Sequence, residues 1–303
     1  MAYRDLNSYL KEKYGCKVYK LSIDGGLSCP NRDGSIGKRG CIFCSDRGSG
    51  EFAERQCSCV AEQLERAKRR VEAKNKGGKY IAYFQSYTNT YGDIDYLKKI
   101  YYEAIAPDYI VGLSVATRPD CLSESVITLL SDINKIKPVS VELGLQTIHE
   151  KTAEYIRRGY KTVVFEDAVK RLQAVGIETV AHLILGLPYE TEEMMVSSSA
   201  FVGKLGIDGV KFHLLYIIRG TDLEKDYNSG IFEALSMEKY VDILEECIRV
   251  LPESTVIHRL TGDGAKRTLI APLWSADKKK VLNYIKKRFE DDCLVQGSEH
   301  KGD

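Results

Sequence analysis

Three of the chain's nine cysteines, Cys29, Cys41 and Cys44, share one glycine-rich stretch with the spacing Cys-x11-Cys-x2-Cys. The stretch runs Gly25-Gly-Leu-Ser-Cys29-Pro-Asn-Arg-Asp-Gly34 and continues to Gly40-Cys-Ile-Phe-Cys44. A two-residue gap lets neighbouring thiolates reach one metal centre, and glycines let backbone N–H groups approach the sulfurs. Four cysteines would close a structural zinc or iron–sulfur site, whereas three leave one iron of a four-iron cluster open to a cofactor or substrate. Cys41 and Cys44 also permit a four-cysteine zinc knot with Cys57 and Cys59, although a one-residue gap is unusual in such knuckles. That alternative describes a non-enzymatic metal-binding module. Cys16, Cys121, Cys247 and Cys293 stand singly in different elements and are expected to be packing residues. An odd set gathered near one end is a poor disulfide framework, so the thiols are expected to remain reduced.

The elements that must position this loop follow from the pattern of apolar runs. Short β-branched or apolar segments alternate with longer amphipathic ones, as in βα units on a parallel sheet. Strands are expected near Val18 to Ile23, Tyr80 to Phe84, Tyr109 to Val115, Val139 to Leu143, Glu178 to Leu185 and Gly209 to His213. Helices are expected near Val60 to Ala73, Ile94 to Tyr102, Ser123 to Asp132, Val164 to Ala174, Thr191 to Leu205 and Met237 to Val250. Six strands with six crossovers make either a doubly wound sheet or an incomplete βα barrel. Gly176 sits where a helix should end in left-handed geometry, and the following strand is almost wholly apolar, as expected of a strand buried on both faces. His182 interrupts that strand, either as a hydrogen-bonded core residue or as a ligand contact at the strand end.

Composition narrows the classes further. With 44% hydrophobic and 29% charged residues the chain has material for a large core, which excludes intrinsic disorder. Forty-four Lys and Arg nearly cancel 43 Asp and Glu, so any affinity for nucleic acid must come from a local patch. No apolar run approaches the roughly 18 residues of a membrane span, and charges in Met1 to Gly15 occupy the place a secretory leader would need apolar. A soluble, cytoplasmic protein is expected.

The loop from Cys29 to Cys44, followed by five further motifs in order, resembles the radical S-adenosylmethionine (SAM) superfamily, specifically the YtqA/YhcC-type subgroup related to the Elongator catalytic subunit. The resemblance runs from about Val18 to Trp274. The cysteine spacing departs from the superfamily's common Cys-x3-Cys-x2-Cys and matches the subgroup. The resemblance implies an α/β fold, a partial (β/α)6 radical SAM barrel over residues 1–255 with a basic helical C-terminal extension over 256–303 packed on it. It also implies a [4Fe-4S] cluster held by Cys29, Cys41 and Cys44. In that family S-adenosylmethionine chelates the fourth iron and, on reduction by a donor such as flavodoxin or ferredoxin, yields a 5'-deoxyadenosyl radical, and the resemblance implies the same here.

Cofactor contacts carry over motif by motif. Gln85, after Tyr80 to Phe84, stands with Ser86 where relatives have Gly-Gly-Glu, and its amide can accept from the cofactor's amino group. Ser114-Val-Ala-Thr117-Arg-Pro-Asp120 resembles a Glu-Thr-Arg-Pro-Asp motif, which brings Thr117 to the site and gives Arg118 a cavity role. Ala116 replaces the Glu. In Val141-Glu142-Leu-Gly144-Leu-Gln146 the resemblance assigns Gln146 to the cofactor, and alternation puts Glu142 on the same face. Arg158 matches an Arg that grips the cofactor carboxylate in coproporphyrinogen-oxidising relatives, a fork that Lys cannot reproduce. His182 replaces an Asp that addresses ribose hydroxyls. Phe212, His213 and Tyr216 are candidates to wall adenine or substrate.

The substrate is written less clearly. From Arg259 to Arg288 nine Lys or Arg face two acids. The helix expected from Asp277 to Phe289 puts Val281, Leu282, Ile285 and Phe289 on one face. A solvated helix explains this, and so does phosphate contact through Lys266, Arg267, Lys278, Lys279 and Lys280. The subgroup resemblance implies tRNA as partner, with wobble 5-carboxymethylaminomethyluridine converted to 5-aminomethyluridine. The alternative is a radical enzyme acting on a peptide or small metabolite.

Overall fold

A computed structural model describes residues 2–45, 48, 50, 53–54, 57, 59–75, 77–262, 264 and 266–301. Its frame is one sheet of seven parallel strands. These are β1 (Val18–Ile23), β2 (Lys79–Phe84), β3 (Ile110–Thr117), β4 (Val139–Gln146), β5 (Glu178–Leu185), β6 (Gly209–Leu214) and, after a short β7 (Ile217–Ile218), β8 (Val256–Arg259). The order across the sheet is β1-β2-β3-β4-β5-β6-β8, with parallel pairing throughout. β7 pairs antiparallel with β9 (Leu269–Ala271) in a separate ribbon.

Among the described residues the α-helices are α1 (Leu6–Tyr14), α2 (Val60–Val71), α3 (Ile94–Ile105), α4 (Glu124–Asn134), α5 (Glu150–Tyr155), α6 (Thr162–Ala174), α7 (Glu192–Lys204), α8 (Asp222–Asn228), α9 (Met237–Arg249) and α10 (Lys278–Asp291). Local signals start and stop them. Asp93 caps α3 by accepting from Asp95 N at 3.0 Å and Tyr96 N at 3.1 Å, and Ser123, Thr191 and Ser236 cap α4, α7 and α9 in the same way. Gly176 takes φ +69° behind α6, where Ile177 N reaches back to Leu172 O, so the chain turns at once into β5.

Strand alternation sorts side chains between two sides of the sheet. Leu113, Val115, Val141, Leu143, Leu183, Val210 and Phe212 join the helices in one apolar core, which leaves the other side for polar groups. Phe212 is therefore buried in the core and does not wall the cavity, a correction that follows from its one-residue offset from Lys211 and His213.

The sequence-based count of six strands is one short. Val256–Arg259 completes the sheet beside β6, and the backbone near Arg4 and Asp5 bonds to it, Ile257 N donating to Arg4 O at 2.8 Å. The expected boundary at residue 255 thus falls at a strand that belongs to the barrel. Further on, Gln296 ties the two chain ends together, accepting from Arg4 N at 2.9 Å and donating to Pro252 O and Thr255 O. On α10, Val281, Ile285 and Phe289 are buried as expected, but Leu282 is 38% exposed, because one residue round a helix turns it about 100° off that face. No described helix is long and apolar enough to cross a membrane.

Candidate active site

The cysteine loop leaves the C-terminal end of β1 and folds back on itself. Arg32 N donates to Cys29 O at 2.8 Å, Ile36 N to Pro30 O at 2.9 Å, Gly40 N to Asn31 O at 2.7 Å and Cys44 N to Cys41 O at 3.0 Å. Buried Asn31 pins the loop to the barrel by donating to Arg157 O at 2.7 Å, and Ile42 N bonds Ile156 O at 3.1 Å. Gly40 sits at φ +72° with Arg32 so close that a Cβ there would lie 2.8 Å from its Nε, so only glycine lets the guanidinium pass behind the loop. That guanidinium donates to Cys44 O and Ser45 O.

Cys29, Cys41 and Cys44 line one cavity of about 270 Å³. The Cys44 thiol hydrogen bonds Cys41 and brings it down to about 7 against the effect of burial, helped by Arg118, Asn31 and Arg157; the same bond pushes Cys44 up. Asn31 Nδ2 lies 3.7 Å from Cys41 Sγ, within reach of a weak N–H···S bond. Among the described residues no three His, Cys, Asp or Glu side chains gather as they would around a single metal ion. An iron–sulfur cube attaches each thiolate to a different iron, so it does not require three donors converging on one point. Three thiols on one wall, with arginines around them to offset sulfur charge, fit such a cluster. Cys57 points its sulfur at Cys59 O, at 3.4 Å.

Every residue assigned to the cofactor from sequence lines this same cavity: Gln85, Thr117, Glu142, Gln146, Arg158 and His182. Several of them are already engaged there. Thr117 Oγ1 shares a 2.6 Å bond with Thr90. Arg158 is only 1% exposed, and its donors meet Leu145 O and Thr147 O through Nη1, Tyr160 O through Nε, and Thr162 Oγ1 with Glu150 through Nη2. Four hydrogen bonds and one longer ion pair thus occupy the guanidinium. In place of the expected carboxylate grip, the fork braces the turn that ends β4, where Gln146 takes φ +67° and the register slips between Gly144 and Gln146. Arg118 is likewise spent, bidentate on Asp120 at 2.9 and 2.7 Å with Nη1 on Arg158 O.

Glu142 faces the cavity as alternation requires, yet its carboxylate accepts from five groups. Lys20 Nζ lies at 2.6 Å, Ser114 Oγ at 3.0 Å, Tyr83 Oη at 2.8 Å and His182 Nε2 at 2.9 Å, with Lys211 Nζ closing the set. Burial pushes Glu142 up, and Lys20, Lys211 and His182 together hold it well below the usual carboxylate range. Burial also pushes His182 down, which keeps it neutral, and Lys211 down to about 7. His182, expected at the ribose hydroxyls, lines the cavity with its Nε2 on Glu142.

Sequence reasoning missed Lys20, Tyr83, Ser114 and Lys211, and it counted Arg259 in the basic stretch whereas the structure puts it on the cavity wall. The available signal was a lysine at an inward position of an otherwise apolar strand, as in Gly-Val-Lys211-Phe-His. The residues named for RNA, Lys266, Arg267, Lys278, Lys279 and Lys280, are all exposed and lie outside the cavity wall.

Comparison with known proteins matches this geometry. The model of the Radical SAM superfamily matches residues 34–202, and that of the Radical_SAM C-terminal domain matches 207–291. The Bacillus subtilis protein YtqA is 41% identical over 97% of this chain and 92% of its own length. A Methanocaldococcus jannaschii tRNA uridine(34) acetyltransferase is 27% identical over 50% of this chain and 28% of its own. The archaeal Methanocaldococcus infernus Elp3 structure superposes with a TM-score of 0.72 at 17% identity, covering 92% of this chain, which spans 64% of that one. A half-barrel whose first strand delivers three thiols into the cavity ringed by the other strand ends, matched over more than half its length by the family model, belongs to the radical SAM superfamily.

Proposed function

We propose that this chain is a radical SAM enzyme that acts on tRNA, converting wobble 5-carboxymethylaminomethyluridine and water to 5-aminomethyluridine and glyoxylate, with S-adenosylmethionine reduced to methionine and 5'-deoxyadenosine as the oxidant consumed. The observation that carries the radical chemistry is the convergence of Cys29, Cys41 and Cys44 on one strand-end cavity. Cys29, Cys41 and Cys44 would hold a [4Fe-4S] cluster, which with S-adenosylmethionine and a low-potential donor such as flavodoxin or ferredoxin would supply a 5'-deoxyadenosyl radical.

The chain's own residues hold, orient and enclose. Asn31, Arg32 and Gly40 fix the loop that presents the thiols. Gln85 and Gln146 offer amides to the cavity from β2 and β4, and Arg158 keeps Gln146 in its left-handed conformation by gripping the carbonyls on either side of it. The tRNA part of the proposal is supported by likeness to a protein acting on tRNA uridine 34 and by five exposed basic residues beside and on α10.

The test is anaerobic reconstitution followed by incubation with tRNA from cells lacking the protein. The expected outcome is about four irons per chain and loss of 5-carboxymethylaminomethyluridine with gain of 5-aminomethyluridine. A colourless protein holding zinc refutes the radical reading. An iron-loaded protein that cleaves S-adenosylmethionine but leaves the nucleosides unchanged refutes the tRNA reading alone.

A further inference from the structure

Charge in the deep part of the cavity does not balance. Lys211 on β6 and Arg259 on β8 are direct cross-strand partners, an arrangement in which like charges repel. Lys20 approaches from β1, so three cations surround a single carboxylate, Glu142, which is the one acid among the described residues of the cavity wall. Both oxygens of Glu142 are already shared among five donors. Arg259 has no hydrogen bond or ion pair among the described residues. Beside it the ring of His213 packs at 5.0 Å on His182, and its Nε2 is buried without a partner. Buried polar atoms normally have one, so an unmatched nitrogen next to two cations marks a place where a ligand oxygen belongs.

Position separates this set from the thiols. The cysteine loop follows β1, at one edge of the sheet order, and Lys211, His213 and Arg259 lie on the last two strands. By register Lys211 stands level with His182 and Gly144, three residues or roughly 10 Å before the end of β6 at Leu214, and its ammonium reaches down to Glu142. We infer that Lys211, Arg259 and His213 form a seat for a carboxylate carried by the substrate. This rests on the wobble-uridine reading, in which the side chain to be shortened ends in a carboxymethyl group. A guanidinium and an ammonium on adjacent strands grip a planar carboxylate from two directions, the imidazole adds a third donor, and the methylene next to the carboxylate is thereby fixed in the cavity.

The experiment uses the reconstituted protein and three anticodon stem-loops, carrying 5-carboxymethylaminomethyluridine, its methyl ester or plain uridine. Wild type is expected to bind the acid roughly ten- to hundredfold tighter than the ester, the span of a hydrogen bond to a charged group. Arg259→Gln should erase most of that preference while binding the ester within about twofold of wild type. Iron content and S-adenosylmethionine affinity should stay as they are. Equal binding of acid and ester by wild type overturns the inference. So does an Arg259→Gln protein that loses S-adenosylmethionine affinity yet keeps the acid preference, because the cations then serve the cofactor's own carboxylate. Failure of all three stem-loops to bind refutes the tRNA reading, and N-methylglycine against its methyl ester then decides the seat by thermal shift. Stabilisation by the acid alone, lost in Arg259→Gln, supports the seat, and no difference overturns it. Lys211→Met repeats the comparison, and if that buried change unfolds the protein, half-exposed Arg259 still carries the test.

Discussion

Replacing Glu142 with Gln keeps the shape of the side chain and removes the carboxylate that Lys20 and Lys211 share. Glu142 is 1% exposed and Lys211 4%, so water cannot substitute for the missing partner. Breaking a buried ion pair from one side costs about 3–5 kcal/mol. At about 2.1 cal/mol/K per residue, 303 residues unfold with an entropy near 640 cal/mol/K, which converts that cost to a fall in Tm of about 5–8 °C. The pH dependence has a definite sign. Lys211 is faced by Glu142 from β4, Lys20 from β1, Tyr83 from β2, His182 from β5 and Arg259 from β8. Without Glu142 its folded pKa drops below the wild-type value of about 7. A lysine with a lowered pKa destabilises most where the folded state is forced to protonate it. The deficit of Glu142→Gln is therefore largest near pH 5.5 and shrinks as pH climbs toward about 7. Calorimetry of the single variant and of Glu142→Gln/Lys211→Met checks both points, and the double variant should recover part of the stability. A Tm within about 1 °C of wild type, or a deficit that grows with pH, refutes the argument.

Changing Cys29, Cys41 or Cys44 to Ala should drop iron from about four per chain toward none after reconstitution, while Cys57→Ser and Cys59→Ser retain it; iron analysis with visible absorption decides this. Arg158→Lys offers three donors from a single point where a planar fork makes four hydrogen bonds, and urea unfolding should show a destabilisation of about 2–4 kcal/mol from the acceptors left bare. An unchanged midpoint removes the brace assigned to Arg158. Reversing Lys279 and Lys280 to Glu should weaken tRNA binding and flatten its salt dependence by about 0.7–0.9 log unit for each phosphate no longer neutralised, and titrations at several salt concentrations measure this. The preference for an acidic over an esterified substrate should fall as pH rises from about 6 to 8, since Lys211 loses its charge in that window.

Much of the fold is legible because periodicity is a local property. The strand at Glu178–Leu185 and the helix before it follow from an apolar run and one glycine, and both stand where those signals put them. Elements too short to show a period were not legible. Val256–Arg259 offers four residues, two of them polar, and only its pairing with β6 makes it a strand. α5 and α8, of six and seven residues, carry too few turns for an amphipathic stripe. The positive φ at Gln146 was equally hidden, since it is imposed by Arg158 from outside the strand.

The site divides along the same line. Cys41 and Cys44 announce themselves by a two-residue gap, and Cys29 by the glycine-rich loop that joins it to them. Glu142's partners do not, because Lys20 and Lys211 stand 122 and 69 residues away along the chain and meet only when the sheet curls. That meeting carries its own functional argument. A buried ion cluster costs desolvation, and an apolar set of the same volume is often neutral or more stable in its place. Stability alone therefore gives no reason for a lysine at 211 facing an arginine at 259. What the cluster does accomplish is orientation. Glu142 holds the Lys211 ammonium at a fixed point with its charge only partly met, beside a guanidinium and an imidazole nitrogen that have no protein partner among the described residues. A cavity built in this way is incomplete until an anion enters it, and the energy withheld from folding becomes available for recognising that anion.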